Sequence, residues 1–320
     1  MLDEIVGFHI EPTTVCTLKC PRCPRTNFIE QFKPKNWDNQ NLNLDHLKQF
    51  LDIDLTGLTI GLNGNYGDPI YYPKLFDMIK YFKSSGSHIT LSTNGSYKTQ
   101  EWWEDLANLI DEEDIITFSI DGIPENFTSY RINANWNSIQ TGIETMIRSR
   151  ARIVWKYIVF SYNEETIDQA RNISQQLGMD DFVLNNSDRW EENDWLKPTE
   201  YVKIDNAIDG FLYNGSHIGG RDDNIITWKE QNVRNSSINP ICKITNSSHF
   251  ISAHGFYMPC CWAGDHRFYY KNEFYKNREK YDISKTTISQ MLANKSELDQ
   301  YFNNLETTKP DFCTFNCGKI

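Results

Sequence analysis

Short apolar runs alternate with amphipathic stretches along the first 190 residues, and that alternation restricts the chain more than any other feature. Strands are expected at Ile5–Ile10, Leu58–Leu62, His88–Ser92, Ile115–Ile120, Ile153–Phe160 and Asp181–Leu184. Helical patterns lie between them, around Leu44–Leu51, Lys74–Lys83, Glu101–Ile110, Ser138–Arg148 and Glu165–Leu177. Alternation of this kind builds a parallel sheet from right-handed β-α-β units. Six repeats in roughly 180 residues fall short of a closed eight-fold barrel, which takes about 250. The expected fold class is α/β, a partial (β/α)6 TIM-like barrel.

In such folds the working loops follow the C-terminal ends of the strands. The chemically distinctive residues fall there. Cys16, Cys20 and Cys23, in VCTLKCPRC, follow the first strand, and NGNYGDP follows the second. TNGS, SIDG and SYN follow the third, fourth and fifth. Three soft thiolates spaced by three and then two residues can wrap one face of an iron–sulfur cube, leaving its fourth iron without a protein ligand. Zinc is the alternative, with the triad as three of four ligands, but no fourth ligand lies nearby in sequence.

The eight cysteines fall into two groups, three at 16, 20 and 23 and five at 242, 260, 261, 313 and 317. Two separate sites are expected. The first residues lack the basic start and long apolar core of a signal peptide, and no run approaches the roughly 18 apolar residues that span a bilayer. The expected location is the cytoplasm, where clustered cysteines point to metal before disulfides. A net charge of −11 without a dense Lys/Arg run argues against non-specific nucleic-acid binding.

Cys16-Thr-Leu-Lys-Cys20-Pro-Arg-Cys23 resembles the cluster motif of the radical S-adenosylmethionine (radical SAM) superfamily. Further along, Tyr66-Gly67-Asp68-Pro69 stands where that family has its Gly-Gly-Glu-type motif. Thr93-Asn94-Gly95, Ser119-Ile120-Asp121-Gly122 and Arg131 follow in the family's order. Taken singly, Asp68-Pro69, Asn94-Gly95 and Asp121-Gly122 read as ordinary turns. The resemblance covers roughly residues 5–190. It implies a [4Fe–4S] cluster whose open iron is chelated by the amino and carboxylate groups of SAM. It also implies a one-electron supply from an external donor such as flavodoxin or ferredoxin, and cleavage of SAM to methionine and a 5′-deoxyadenosyl radical.

Within that resemblance, Gly67 lets the backbone approach the ligand, and Asp68 accepts hydrogen bonds from the SAM amino group. Arg131 holds the SAM carboxylate with its planar fork, while Thr93, Asn94, Ser119 and Asp121 suit the ribose hydroxyls. Two departures stand out. Arg22 occupies the place of an aromatic residue next to the adenine, where a guanidinium can stack, and the usual Glu is the shorter Asp68.

The second cysteine group resembles the auxiliary-cluster domains of the SPASM and twitch subfamilies. Seven cysteines and two extra clusters mark the full SPASM pattern, so five here imply one twitch-like auxiliary [4Fe–4S] cluster on Cys242, Cys260, Cys313 and Cys317. Cys261 is the alternative ligand, or a small buried hydrophobe. A zinc site is the competitor for this region, with His249, His254 and His266 close by. The expected organisation is a radical SAM core over 1–190, a connector over 191–239 and an auxiliary-cluster domain over 240–320.

The resemblance implies an oxidative modification of a peptide or protein side chain, since electron removal is the plausible task of a fully ligated auxiliary cluster. Dehydrogenation or rearrangement of a small metabolite is the alternative, and a non-catalytic metal-binding protein a third. Fifteen residues precede Cys16, so no appended leader-peptide domain is expected. WEENDW, Trp190 to Trp195, lies where a substrate lid or an interdomain packing element would sit. No acid or base is singled out by spacing.

Overall fold

The computed structural model describes residues 5–26, 39–187, 194–199, 249–265, 268–293, 303–308 and 313. Among these residues eight strands form one sheet in the order β6-β5-β4-β3-β2-β1-β7-β8. The first six are β1 (Gly7–Ile10), β2 (Thr59–Leu62), β3 (His88–Thr93), β4 (Ile115–Ser119), β5 (Arg152–Ile158) and β6 (Asp181–Asn185). All neighbours among them are parallel. Helices α1 (Leu44–Phe50), α2 (Leu75–Ser84), α3 (Gln100–Ala107), α4 (Trp136–Met146) and α5 (Ile167–Leu177) make the crossovers. This is the expected mixed α/β architecture around a parallel sheet.

The helices start where the chain supplies caps. Asn43 accepts the amides of Asp45 and His46, Thr99 that of Trp102, and Asn135 that of Ser138. α5 stops at Gly178, whose φ of +80° is the left-handed cap that glycine enters without steric cost.

The two faces of the sheet differ in chemistry. Phe8, Ile10, Ile60, Leu62, Ile89, Leu91, Ile116, Phe118, Ile153, Trp155 and Tyr157 are all buried in one core with the inward residues of the helices. By the two-residue alternation of strands, the opposite face carries His9, Gly61 and Thr90, which lie side by side in register. Next on that face come Ser92 beside Thr117, and Ser119 beside Lys156. Both faces of an all-parallel sheet are commonly apolar. Here the lumen face is mixed: Ile115, Val154 and Val183 form a small buried apolar cluster on it, while Ser92, Ser119 and Lys156 are only half-buried.

The sheet also runs on into the C-terminal part of the chain. β7 (His249–Ile251) pairs parallel with β1, Phe8 opposite His249 and Ile10 opposite Ile251. β8 (Tyr257–Met258) turns back antiparallel to β7. Phe250 lies edge-on to His9, ring centroids 5.0 Å apart, on the lumen face. No helix among the described residues is long and apolar enough to cross a membrane.

α3 and α4 pack through one tight contact, where a Cβ on Gly142 would meet the indole of fully buried Trp103 at 2.7 Å. Gly142→Val should therefore lower the unfolding free energy by about 1–3 kcal/mol, the usual cost of overpacking. A denaturation midpoint that falls at unchanged slope would verify it.

Candidate functional site

Five strand ends deliver the sequence-flagged residues to one mouth, where two buried carboxylates organise them. Asp68 ends the β2 loop and caps the short turn Pro69–Tyr71, its Oδ1 accepting the Ile70 amide at 3.2 Å. Its Oδ2 accepts both the Asn94 backbone amide at 2.6 Å and Asn94 Nδ2 at 2.5 Å. Asn94 Nδ2 also lies 3.7 Å from Cys16 Sγ. Thr93 joins through its hydroxyl, which accepts the Gly95 amide at 3.0 Å. Burial raises the Asp68 pKa against the lowering effect of these donors.

Asp121, fully buried after β4, makes the second brace. Its Oδ1 accepts the Ile158 amide at 2.8 Å, and its Oδ2 accepts Arg131 Nε at 2.7 Å. Its carbonyl accepts Asn163 Nδ2 at 3.1 Å and the Tyr162 hydroxyl. Burial works against the Arg131 charge, but Asp121 and the neighbouring Cys20 outweigh it and the pKa is raised. The Arg131 loop holds the cysteine loop directly, with the Lys19 amide donating to the Ile132 carbonyl at 3.1 Å. One brace thus stands by Cys16 and the other by Cys20. Ser119 is half-buried on the lumen face, beside Lys156.

Cys16, Cys20 and Cys23 are free thiols. Cys20 packs with Leu18, Tyr130, Phe160 and Leu196, and Cys16 and Cys23 lie against that cluster. Burial pushes Cys16 and Cys20 up to about 12, with Asp68 adding to the first and Arg131 opposing the second. Among the described residues no three His, Cys, Asp or Glu side chains meet at single-ion distance. The donor set suits a cube, which takes one thiolate on each of three irons and binds thiols only after their protons leave.

Two of the flagged residues have close partners within the protein. Gly67 is needed for contact with the protein itself. A Cβ there would lie 2.0 Å from the Thr13 carbonyl oxygen and 2.7 Å from the Thr14 carbonyl carbon. Arg22, in the place of the aromatic residue next to the adenine, is held by the buried Asp194, Nε to Oδ2 2.7 Å. That pair anchors residues 194–199, whose Leu196 amide and carbonyl bond Asp194 and Ser161. Trp195 stays 59% exposed, so within WEENDW the buried contacts come from Asp194; Trp190–Asn193 lie outside the described residues.

Of the second cysteine group, Cys260, Cys261 and Cys313 are described and all are buried. Cys242, Cys317 and His266 lie outside the described residues. His249 Nδ1 is 2.8 Å from the Tyr257 hydroxyl, and burial lowers the pKa of His249 and of His254 to about 4.

Sequence reasoning missed Glu11. It is fully buried one position past β1, and its Oε1 accepts the Tyr66 amide at 2.7 Å. Burial pushes its pKa up to about 7, although the amides of Tyr66, Ala253, Gly67 and Asn65 pull it down. The available signal was its place two residues beyond His9, on the polar side of the strand.

The chain belongs to the Radical SAM superfamily, whose family model matches residues 10–175, more than half of its length. The family implies a [4Fe–4S] cluster and SAM, and the three free thiols fit that cluster. Over 116 residues the chain is 28% identical to the tungsten-containing aldehyde ferredoxin oxidoreductase cofactor-modifying protein of Pyrococcus furiosus, a match covering 36% of the chain and 31% of that protein. Over 200 residues it is 25% identical to the AdoMet-dependent heme synthase of Methanosarcina barkeri, covering 61% of the chain and 55% of that protein. The chain thus spans about a third and about half the length of these two curated relatives. Its fold is similar to that of Streptococcus suis SuiB bound to S-adenosylmethionine, with a TM-score of 0.55 at 12% identity, over 85% of the chain and 67% of SuiB.

Two outcomes follow. Gly67→Ala should displace the Thr13–Thr14 backbone, and 5′-deoxyadenosine formation from SAM should fall by about 100-fold, as expected for a misplacement near 1 Å. Glu11 has a pKa raised from 4.5 to about 7 in the folded chain. It therefore favours folding below about pH 4.5, and that contribution is lost as pH rises through about 7. The stability of wild type relative to Glu11→Gln should fall by on the order of 3 kcal/mol between pH 4.5 and 7.5, as read by denaturant unfolding at each pH.

Proposed function

We propose that this chain is a SPASM/twitch-type radical SAM enzyme that performs an oxidative modification of a peptide or protein side chain. The observation that carries the core of this reading is the pair of braces beside the cysteine loop, Asp68–Asn94 at Cys16 and Asp121–Arg131 at Cys20. Cys16, Cys20 and Cys23 would hold the cluster. When bound, the reduced cluster would supply one electron to the SAM sulfonium, whose S–C5′ cleavage would release methionine and a 5′-deoxyadenosyl radical able to take hydrogen from substrate.

The chain's own residues position and shield. Asp68, with Asn94 bonded to it, would meet the SAM amino group, and Arg131, steadied by Asp121, would hold the SAM carboxylate. Thr93, Asn94, Ser119 and Asp121 would serve the ribose hydroxyls. The half-buried row of Ser92, Ser119 and Lys156 gives the substrate a polar wall. An auxiliary [4Fe–4S] cluster on Cys242, Cys260, Cys313 and Cys317, with Cys261 as alternative ligand, would take up the second electron. The organisation into a core over 1–190, a connector over 191–239 and an auxiliary domain over 240–320 belongs to the same reading. So do a flavodoxin- or ferredoxin-type donor and a cytoplasmic location.

Peptide as substrate draws support from SuiB, which is also known bound to its precursor peptide SuiA. A small-molecule substrate is the second reading, favoured by the two sequence relatives, named for heme synthesis and for cofactor modification. Anaerobic reconstitution with iron counted tests the two-cluster core. Wild type should carry about eight irons and the Cys16/Cys20/Cys23→Ala variant about four, the arithmetic of two cubes on separate cysteines. Four irons plus one zinc in wild type would rule out the auxiliary cluster.

A further inference from the structure

Glu11 is used by none of the roles above, yet it sits at the junction of three strand ends. Its amide continues the β1–β7 pairing by donating to the Ile251 carbonyl at 2.9 Å. Its side chain turns to the lumen face beside Asn63, whose amide donates to the Ile10 carbonyl at 3.2 Å. There Oε1 accepts the Tyr66 amide at 2.7 Å, and the amides of Ala253, Gly67 and Asn65 further stabilise the charged form. Oε2 makes no hydrogen bond among the described residues. Glu11 is fully buried, and nearby Tyr66 lies edge-on to Tyr269 at 6.5 Å.

The amides gathered here belong to the residues just before Asp68. The Tyr66 amide is bonded to the carboxylate and the amides of Asn65 and Gly67 on either side lower its pKa, and the next residue, Asp68, carries the brace to Asn94 and Cys16. A fourth comes from Ala253, in the turn between β7 and β8. The same loop touches the C-terminal part again where Asn65 Nδ2 donates to the Cys261 carbonyl at 3.4 Å.

We propose that Glu11 is the positioning residue of the SAM-binding loop. Its carboxylate gathers the Asn65–Gly67 backbone and ties it to the Ala253 turn, so that the β7–β8 segment helps set the affinity for SAM. The proposal rests on reading residues 64–68 as that loop. Glu11 acts through the backbone and touches neither cluster nor SAM, so its removal should cost SAM binding more than turnover.

Wild type, Glu11→Gln and Glu11→Ala are reconstituted anaerobically as full chains. Iron content, the SAM dissociation constant, the rate of 5′-deoxyadenosine formation at saturating SAM and amide hydrogen exchange at 65–67 are then measured. Glu11→Ala should keep the wild-type iron content, bind SAM about tenfold more weakly and hold its saturated rate within about threefold, the pattern of a lost orienting contact. Its amides at 65–67 should exchange faster. Glu11→Gln, which keeps one acceptor oxygen, should fall between the two. If Glu11→Ala does not fold, Glu11→Gln decides alone. Unchanged SAM affinity with iron retained would overturn the proposal, and so would loss of iron in step with affinity, since that marks general support of the fold. Failure of iron-replete wild type to bind SAM overturns the reading of the site itself, and the role of Glu11 with it.

Discussion

Everything at the mouth of this barrel depends on two backbones touching at a distance no side chain allows. Gly67 lies against the Thr13 and Thr14 carbonyl groups, just ahead of the first cysteine. Contact at that distance brings the Asp68 amide to the Val15 carbonyl at 2.9 Å, so the β2 loop and the cysteine loop form one body. Asp68 can then reach Asn94, and Asn94 can reach Cys16. A methyl group at position 67 would separate the loops and undo each later contact. The glycine serves the assembly of the site before it serves any ligand.

Three buried carboxylates hold that assembly, each with a different kind of partner. Asp121 has a guanidinium and a backbone amide, Asp68 has two backbone amides and a carboxamide, and Glu11 has the Tyr66 backbone amide. Taking a charge out of water is costly, and its partners offset that cost only partly. Glu11 shows the balance most plainly, because burial outweighs its donors and its pKa climbs to about 7. Such groups are weak evidence for stability. They are better understood as fixing the direction of several loops at once, which hydrocarbon cannot do.

The fold was legible because its signals are local. Strand and helix periods place every crossover from β1 to β6, and the order of the cysteine triad, Gly67-Asp68, Thr93-Asn94, Asp121 and Arg131 places the site at the strand ends. What escaped the sequence is what joins distant segments. Arg22 has its carboxylate at Asp194, and nothing near either residue announces the other. Nor does anything beside Gly67 announce its contact with the Thr13–Thr14 backbone, fifty residues upstream in the chain. The polar row of the lumen face was present as alternation in HITLST and IITFS, but it shows as a row only when the registers of β3, β4 and β5 are known.

The pairing of β7 with β1 bears on how the site is completed. Strands β1 to β6 are linked by crossovers of modest length, whereas β7 returns to the opposite edge of β1 from the far end of the chain. Long-range pairing of this kind costs more loop-closure entropy and is expected late in folding. Until β7 docks, Glu11 lacks the Ala253 amide and Asn65 lacks the Cys261 carbonyl. The core of the barrel is shared with this segment, because Phe250, Ile251, Tyr257 and Met258 are buried in the same cluster as Phe8, Ile10 and Phe50. Among the described residues the loop before Asp68 is thus linked to the second cysteine group through Asn65 and the Cys261 carbonyl, and β1 is linked to β7 through the Glu11 amide and the Ile251 carbonyl.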